Sequence, residues 1–184
     1  MKRRSFLKGS AALVPAAGFR EFALAQAAAA PASTEIHVVG SGADRFGESH
    51  SRGFSNLLFK VASRDTGGGL FIIEHANLVK GGPPLHLHLY QDEWFYVMEG
   101  EVAFQVGDSR KRLRAGESVL GPRNIPHAFS SVGEKPGRML IAFTPAGKIE
   151  EFFRATAVPG LPALDAEMFR RYDMRLVGPS PFEA

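Results

Sequence analysis

Cysteine is absent from the 184 residues. The chain therefore makes no disulfide, its stability rests on core packing or association, and any metal it binds must sit on nitrogen and oxygen donors. An internal repeat is also missing, which argues against a duplicated two-barrel protein. A surplus of one charge sign is lacking once the beginning of the chain is set aside. Of 22 basic and 19 acidic residues, the first 33 positions hold Lys2, Arg3, Arg4, Lys8 and Arg20 against Glu21, leaving 17 and 18 and a formal charge of −1. The sequence pI of 9.4 belongs mostly to that leading segment, so nucleic acid and anionic membrane are not indicated as partners. The one dense basic run, "RKRLR" at Arg110 to Arg114, reads as a solvated hairpin edge.

The leading segment has its own logic. It combines a basic start, an apolar middle too brief to span a bilayer permanently, and a small-residue triplet, Ala23-Leu24-Ala25. Within it "RRSFLK", Arg3 to Lys8, resembles a twin-arginine export signal, which directs folded proteins to the periplasm. Cleavage is expected after Ala25 or Ala27, with residues 1–33 comprising signal and flexible leader and no stable membrane insertion afterwards.

Beyond residue 33 the chain is punctuated like an antiparallel β-protein, with short apolar or alternating runs between Gly, Pro, Asp and Asn. Strands are expected over residues 56–62, 69–78, 85–89, 93–99, 101–106, 118–122, 127–132 and 138–144, an all-β sandwich or barrel. "KIEEFFRATA", 148–157, has helical spacing with Ile149, Phe152 and Phe153 on one side. That helix either lids the barrel mouth or covers its outer wall. The domain is expected to occupy 34–157, and 158–184 to form a short helix or a C-terminal arm.

The stretch "GGPPLHLHLYQDEWFYVMEG", Gly81 to Gly100, carries the chemistry. On a strand, His86 and His88 share one face, and Glu93 opens the next strand close enough to approach the same point. His127, restrained behind Pro122 and Pro126, supplies a fourth donor. Three imidazoles and a carboxylate suit one divalent transition metal ion. Burying them without one would leave polar groups unpaired at a cost of several kcal/mol. His37, His50 and His75 have no such partners and are read as structural or surface residues. Among the 15 phenylalanines, Phe95, Phe104 and Phe129 fall at inward positions, where they either fill a core or line an apolar pocket for an aromatic or otherwise apolar substrate. Arg123 is the arginine the sequence places near the ligands.

These motifs resemble the cupin superfamily from about Asn56 to Phe153. The first family motif is matched by His86, His88, Glu93 and Gly100, with its leading glycine, Gly81, shifted by one position. The second is matched by Gly116, Pro122 and His127, while Asn124 stands for a glycine and Ser131 for an asparagine. Asn tolerates the left-handed backbone that a tight turn needs, so that departure is mild. The resemblance implies a double-stranded β-helix, or jelly-roll, with the metal inside, and a homodimer. It looks most like single-domain cupins grouped with quercetin 2,3-dioxygenase, enzymes that open a flavonol ring with O2. It thereby implies His86, His88 and His127 as ligands and Glu93 as ligand or base. A carboxylate left uncoordinated in an apolar cavity would have a raised pKa, suited to a base. Other metal-cupin reactions, among them oxalate oxidation, isomerisation and lyase chemistry, and a non-catalytic binding role are the alternatives. Folding before export favours manganese or iron; nickel, cobalt, copper and zinc also fit the donor set.

Overall fold

The computed structural model describes residues 35–158, 160 and 164–182. The expected leader, with the stretch read as an export motif and the cleavage triplet, lies outside the described residues. Two antiparallel sheets face each other. The first has the order β1-β2-β3-β10-β5-β8 and the second β11-β4-β9-β6-β7. In chain order these are β1 (His50–Ser51), β2 (Asn56–Val61), β3 (Phe71–Leu78), β4 (Leu85–His88), β5 (Asp92–Glu99), β6 (Glu101–Val106), β7 (Ser109–Arg114), β8 (Ser118–Gly121), β9 (His127–Ser131), β10 (Gly137–Thr144) and β11 (Met174–Gly178). Helices α1 (Ile149–Thr156) and α2 (Ala166–Arg171) lie between the last two strands in the chain. This is the all-β jelly-roll with a short C-terminal helical segment that the sequence implies.

Local sequence explains the strand breaks. Gly100 alone separates β5 from β6 at φ +80°, and a Cβ there would come 3.0 Å from the Gly137 Cα. Alternation along β5 buries Glu93, Phe95 and Val97 and leaves Trp94 on the other face. The basic run forms β7, an edge strand on which only Leu113 is buried. Asn124 adopts φ +64°, the left-handed turn that its place in the second motif requires.

The core is built mainly from phenylalanine. Phe59, Phe71, Phe95, Phe104, Phe143 and Phe169 are fully buried, and each such burial contributes about 1.5–3 kcal/mol. The rings meet edge to face, as in Phe59–Phe71 at 5.1 Å and Phe95–Phe104 at 5.1 Å between centroids.

Helix α1 buries Ile149, Phe152, Phe153 and Thr156, one face at 3.6-residue spacing. That face lines the internal cavity rather than the outer wall. The segment after it contains both a helix and a strand. Asp165 caps α2 by accepting a hydrogen bond from Met168 N at 2.8 Å, and Asp173, at φ +59°, turns the chain into β11. β11 pairs with β4 of the same chain, placing Met174 opposite His88 and Leu176 opposite His86. The arm thus backs the strand that carries two of the four expected ligands.

Candidate metal centre

The four residues expected to hold a metal come together. Donor atoms of His86, His88, Glu93 and His127 lie within 4.8 Å of one another, and all four residues are buried. Opposite donors of a metal with bonds of about 2.1 Å stand about 4.2 Å apart, so the cluster needs only slight contraction to close on an ion. Strand register produces the convergence: His86 is the direct partner of His127 across β4 and β9, while Glu93 enters from the other sheet on β5. Gly121, paired with Glu93, leaves the room that the His127 ring fills. A Cβ there would lie 3.2 Å from His127 Nδ1 and 3.3 Å from the Phe95 ring.

The outer nitrogens orient two of the imidazoles. His86 Nδ1–H donates to Pro84 O at 2.9 Å and His127 Nδ1–H donates to Ile125 O at 3.0 Å, which turns both Nε2 atoms inward. His88 differs: its Nδ1 is buried without a hydrogen-bond partner, and its Nε2 lies 3.1 Å from Glu93 Oε2 without the angle of a hydrogen bond. A buried imidazole left that way is costly, and a cation at the cluster would relieve the cost. The donor chemistry, the inward nitrogens and this orphaned ring therefore fit a divalent transition metal.

Charge in the metal-free chain is arranged around Glu93. Burial alone would raise its carboxyl pKa, but His127 at 2.7 Å and His88 at 3.1 Å outweigh burial and hold it well below the usual carboxylate range. The expectation of a raised value is corrected here, because the imidazoles face the same point as the carboxylate. For His127 burial works downward, yet the Glu93 charge wins and its pKa rises. Burial, aided by the neighbouring His127 and His88, pushes His86 down to about 3. A His127–Glu93 pair thus occupies the place a cation would take.

A cavity of about 40 Å³ adjoins the cluster, walled by the helix α1 face, Phe129, Phe143 and Phe169. Phe129 lines it as expected. Phe95 packs 5.9 Å from the His127 ring, while Phe104 lies deeper in the core, 5.1 Å from Phe95. Neither lines the cavity, which answers the choice between core and pocket for these two rings. Arg123 is also displaced from its expected role: it is exposed and paired with Asp92 at 2.7 Å on the surface.

Two other residues that sequence reasoning passed over do reach the cavity, Arg52 and His75. His75 sits on β3, is 2% exposed, and its Nδ1 lies 2.7 Å from Ser55 Oγ. Burial brings its pKa down to about 3, so it stands neutral beside the cluster. The burial of β3 on this face was the available signal for His75; Arg52 lies in an irregular loop and had none. His50 remains peripheral, 3.0 Å from Glu48.

Residues 77–143 match the Cupin domain family. This cupin segment contains all four candidate ligands and supports placement in the cupin superfamily. The chain is 32% identical over 60 residues to the protein named Polyketide synthase CurC of Streptomyces cyaneus, covering 33% of this chain and 39% of that one. It is 30% identical over 60 residues to Protein SchB of Streptomyces halstedii, covering 33% and 44%. The match thus spans less than half the length of either curated relative. Among solved structures, an RmlC-like cupin from Shewanella frigidimarina NCIMB 400 superposes with a TM-score of 0.52 at 20% identity, over 64% of this chain and 96% of that one. That likeness concerns the fold.

Proposed function

We propose that the chain is a metal-dependent dioxygenase of the cupin type that cleaves an enediol or phenolic group with O2. The observation that carries this reading is the buried His86, His88, Glu93 and His127 cluster, with His88 Nδ1 unpartnered, at one side of a phenylalanine-walled cavity. Those four residues would hold one divalent metal ion, manganese or iron in the first instance, which would supply an electron-transfer and Lewis-acid centre.

The chain's own residues define the rest. Pro84 O and Ile125 O fix two imidazoles so that their Nε2 atoms stay directed at the cluster. Glu93 is ionised, the form a metal ligand needs, and while His127 and His88 hold its pKa down it is a weak proton acceptor. The phenylalanine wall sets an apolar surface beside the cluster. For an enediol the overall change balances as one HO–C=C–OH unit plus O2 giving two carboxylic acids, with both atoms of O2 retained in the products.

Cavity size refines the substrate. An apolar cavity that admits benzene measures about 150 Å³, well above the 40 Å³ here. A three-ring flavonol would have to part the walls, so a small enediol, or the oxygen-bearing edge of a phenol, is the favoured occupant. Arg52 in the wall favours a second reading, metal-dependent chemistry on a small carboxylate. Periplasmic export by the twin-arginine route and assembly as a homodimer complete the proposal.

The test is oxygen uptake by metal-loaded protein with reductone, catechol and flavonol substrates. The expected result is uptake with a reductone or catechol that disappears in Glu93→Gln. Full uptake in that variant, or none with any substrate, contradicts the reading.

A further inference from the structure

Every other half-buried arginine among the described residues is paired with an acid. Arg45 meets Asp65 at 3.3 Å, Arg138 meets Glu74 at 2.8 Å and Arg154 meets Glu150 at 2.9 Å. Arg52 is different. It is half-buried, it lines the cavity beside His86, His88 and Glu93, and among the described residues it forms no ion pair. Its guanidinium is nevertheless held in place. One terminal nitrogen donates to Thr156 O at 3.1 Å, the carbon lies 5.3 Å from the Phe152 ring centroid, and the backbone N donates to Ser55 O at 3.0 Å.

A guanidinium has five N–H donors in a planar fork, and the Thr156 carbonyl takes only one direction. A half-buried guanidinium held in place with no acidic partner keeps donors free for an incoming anion. Burial alone brings the Arg52 pKa down to about 10, with no carboxylate offsetting it. The other groups around the cavity sharpen the choice. His75 is neutral and adds no second positive charge.

Resting on the metal-centred reading above, we propose that Arg52 is the specificity-determining residue of this site, receiving the single carboxylate of a small substrate whose hydroxyl or keto oxygen is directed toward the four-ligand cluster. A carboxylate matches the guanidinium fork in shape and charge. A cavity of about 40 Å³ admits such a group where it does not admit a free aromatic ring. The class of substrate is therefore a small hydroxy, keto or enediol monocarboxylate.

The experiment titrates acetate and its neutral counterpart acetamide into the full chain, once metal-free and once loaded with manganese(II), and compares Arg52→Met and Arg52→Lys. The parent is expected to bind acetate at least about tenfold more tightly than acetamide. Arg52→Met is expected to bring the ratio to within about twofold without lowering metal content, and Arg52→Lys to retain part of the preference. An undiminished acetate preference in Arg52→Met, or no acetate binding by the parent, overturns the proposal. A lowered unfolding temperature with an unchanged ratio also overturns it, because Arg52 would then serve only to hold α1 through Thr156. The metal reading fails separately: a parent that binds no manganese but keeps an Arg52-dependent acetate preference leaves this assignment standing and removes the other.

Discussion

Replacing Glu93 by glutamine keeps the side chain's size and removes its charge, so it separates the electrostatic role of this residue from packing. In the metal-free chain Glu93 accepts a hydrogen bond from His127 at 2.7 Å and lies 3.1 Å from His88 Nε2. A hydrogen bond to a charged group contributes about 1.5–3 kcal/mol and a neutral one about 1 kcal/mol, so the metal-free variant is expected to lose about 1–2 kcal/mol. The metal-loaded protein loses more. Groups that merely orient a ligand cost about 10–100-fold in metal affinity when removed, so an anionic ligand is expected to cost at least about 100-fold. At a free metal concentration about 100 times the parent's Kd, the parent gains about 2.7 kcal/mol, and a variant bound about 100-fold more weakly gains about 0.4 kcal/mol. For a domain of this size that is a rise in unfolding temperature of about 5–11 °C in the parent against about 1–2 °C in Glu93→Gln. Thermal unfolding with and without manganese(II), paired with calorimetric titration, measures both quantities. Equal metal-induced shifts in the two proteins would refute the placement of Glu93 among the ligands.

The same packing and charges have other consequences. His75 has a folded pKa of about 3 against 6.5 for the free side chain, so below pH 6.5 the unfolded chain binds a proton that the native chain does not. Metal-free protein should therefore lose about 1.4 kcal/mol per pH unit through His75 as pH falls toward 3. Urea titrations of the parent and His75→Gln at about pH 6 and about pH 4 check this, and identical pH slopes would contradict it. Gly147 stands at φ +52°, and a Cβ there would lie 1.8 Å from Nε2 of Gln91, which is 1% exposed. Gly147→Ala should destabilise by about 2–4 kcal/mol in urea unfolding, and a loss below about 1 kcal/mol would show that Gln91 yields freely. Phe169 is 1% exposed and its ring centroid lies 5.4 Å from that of His86. Phe169→Ala should cost about 3–5 kcal/mol and enlarge the cavity enough for phenol to bind, detectable by NMR titration; a variant that admits no phenol contradicts its role as cavity wall.

The convergence of the four candidate ligands was legible because their positions obey strand geometry. His86 and His88 differ by two, Glu93 begins an alternating strand, and Pro122 and Pro126 restrain the turn before His127. Asn124 was legible for a similar local reason, since its side chain tolerates the φ of +64° that it adopts. Tertiary packing determined the rest. Arg52 belongs to an irregular loop with no periodicity, and only the fold carries it to the cavity. β11 comes too soon after a six-residue helix to stand out in the sequence, and its partner β4 lies far away along the chain. Arg123 looked close to the ligands because it precedes His127, but Asp92 draws it to the surface. The pKa direction of Glu93 likewise depends on where His88 and His127 point, which strand spacing alone does not fix.

The measurement that bears most directly on the metal centre is the metal content of untagged protein purified without added chelator, beside His86→Ala prepared in the same way. About one transition metal ion per chain in the parent and almost none in the variant is the expected result for a site of four converging donors. A folded parent with no bound metal, and no uptake when manganese, iron, cobalt, nickel, copper or zinc is offered, would contradict the central claim.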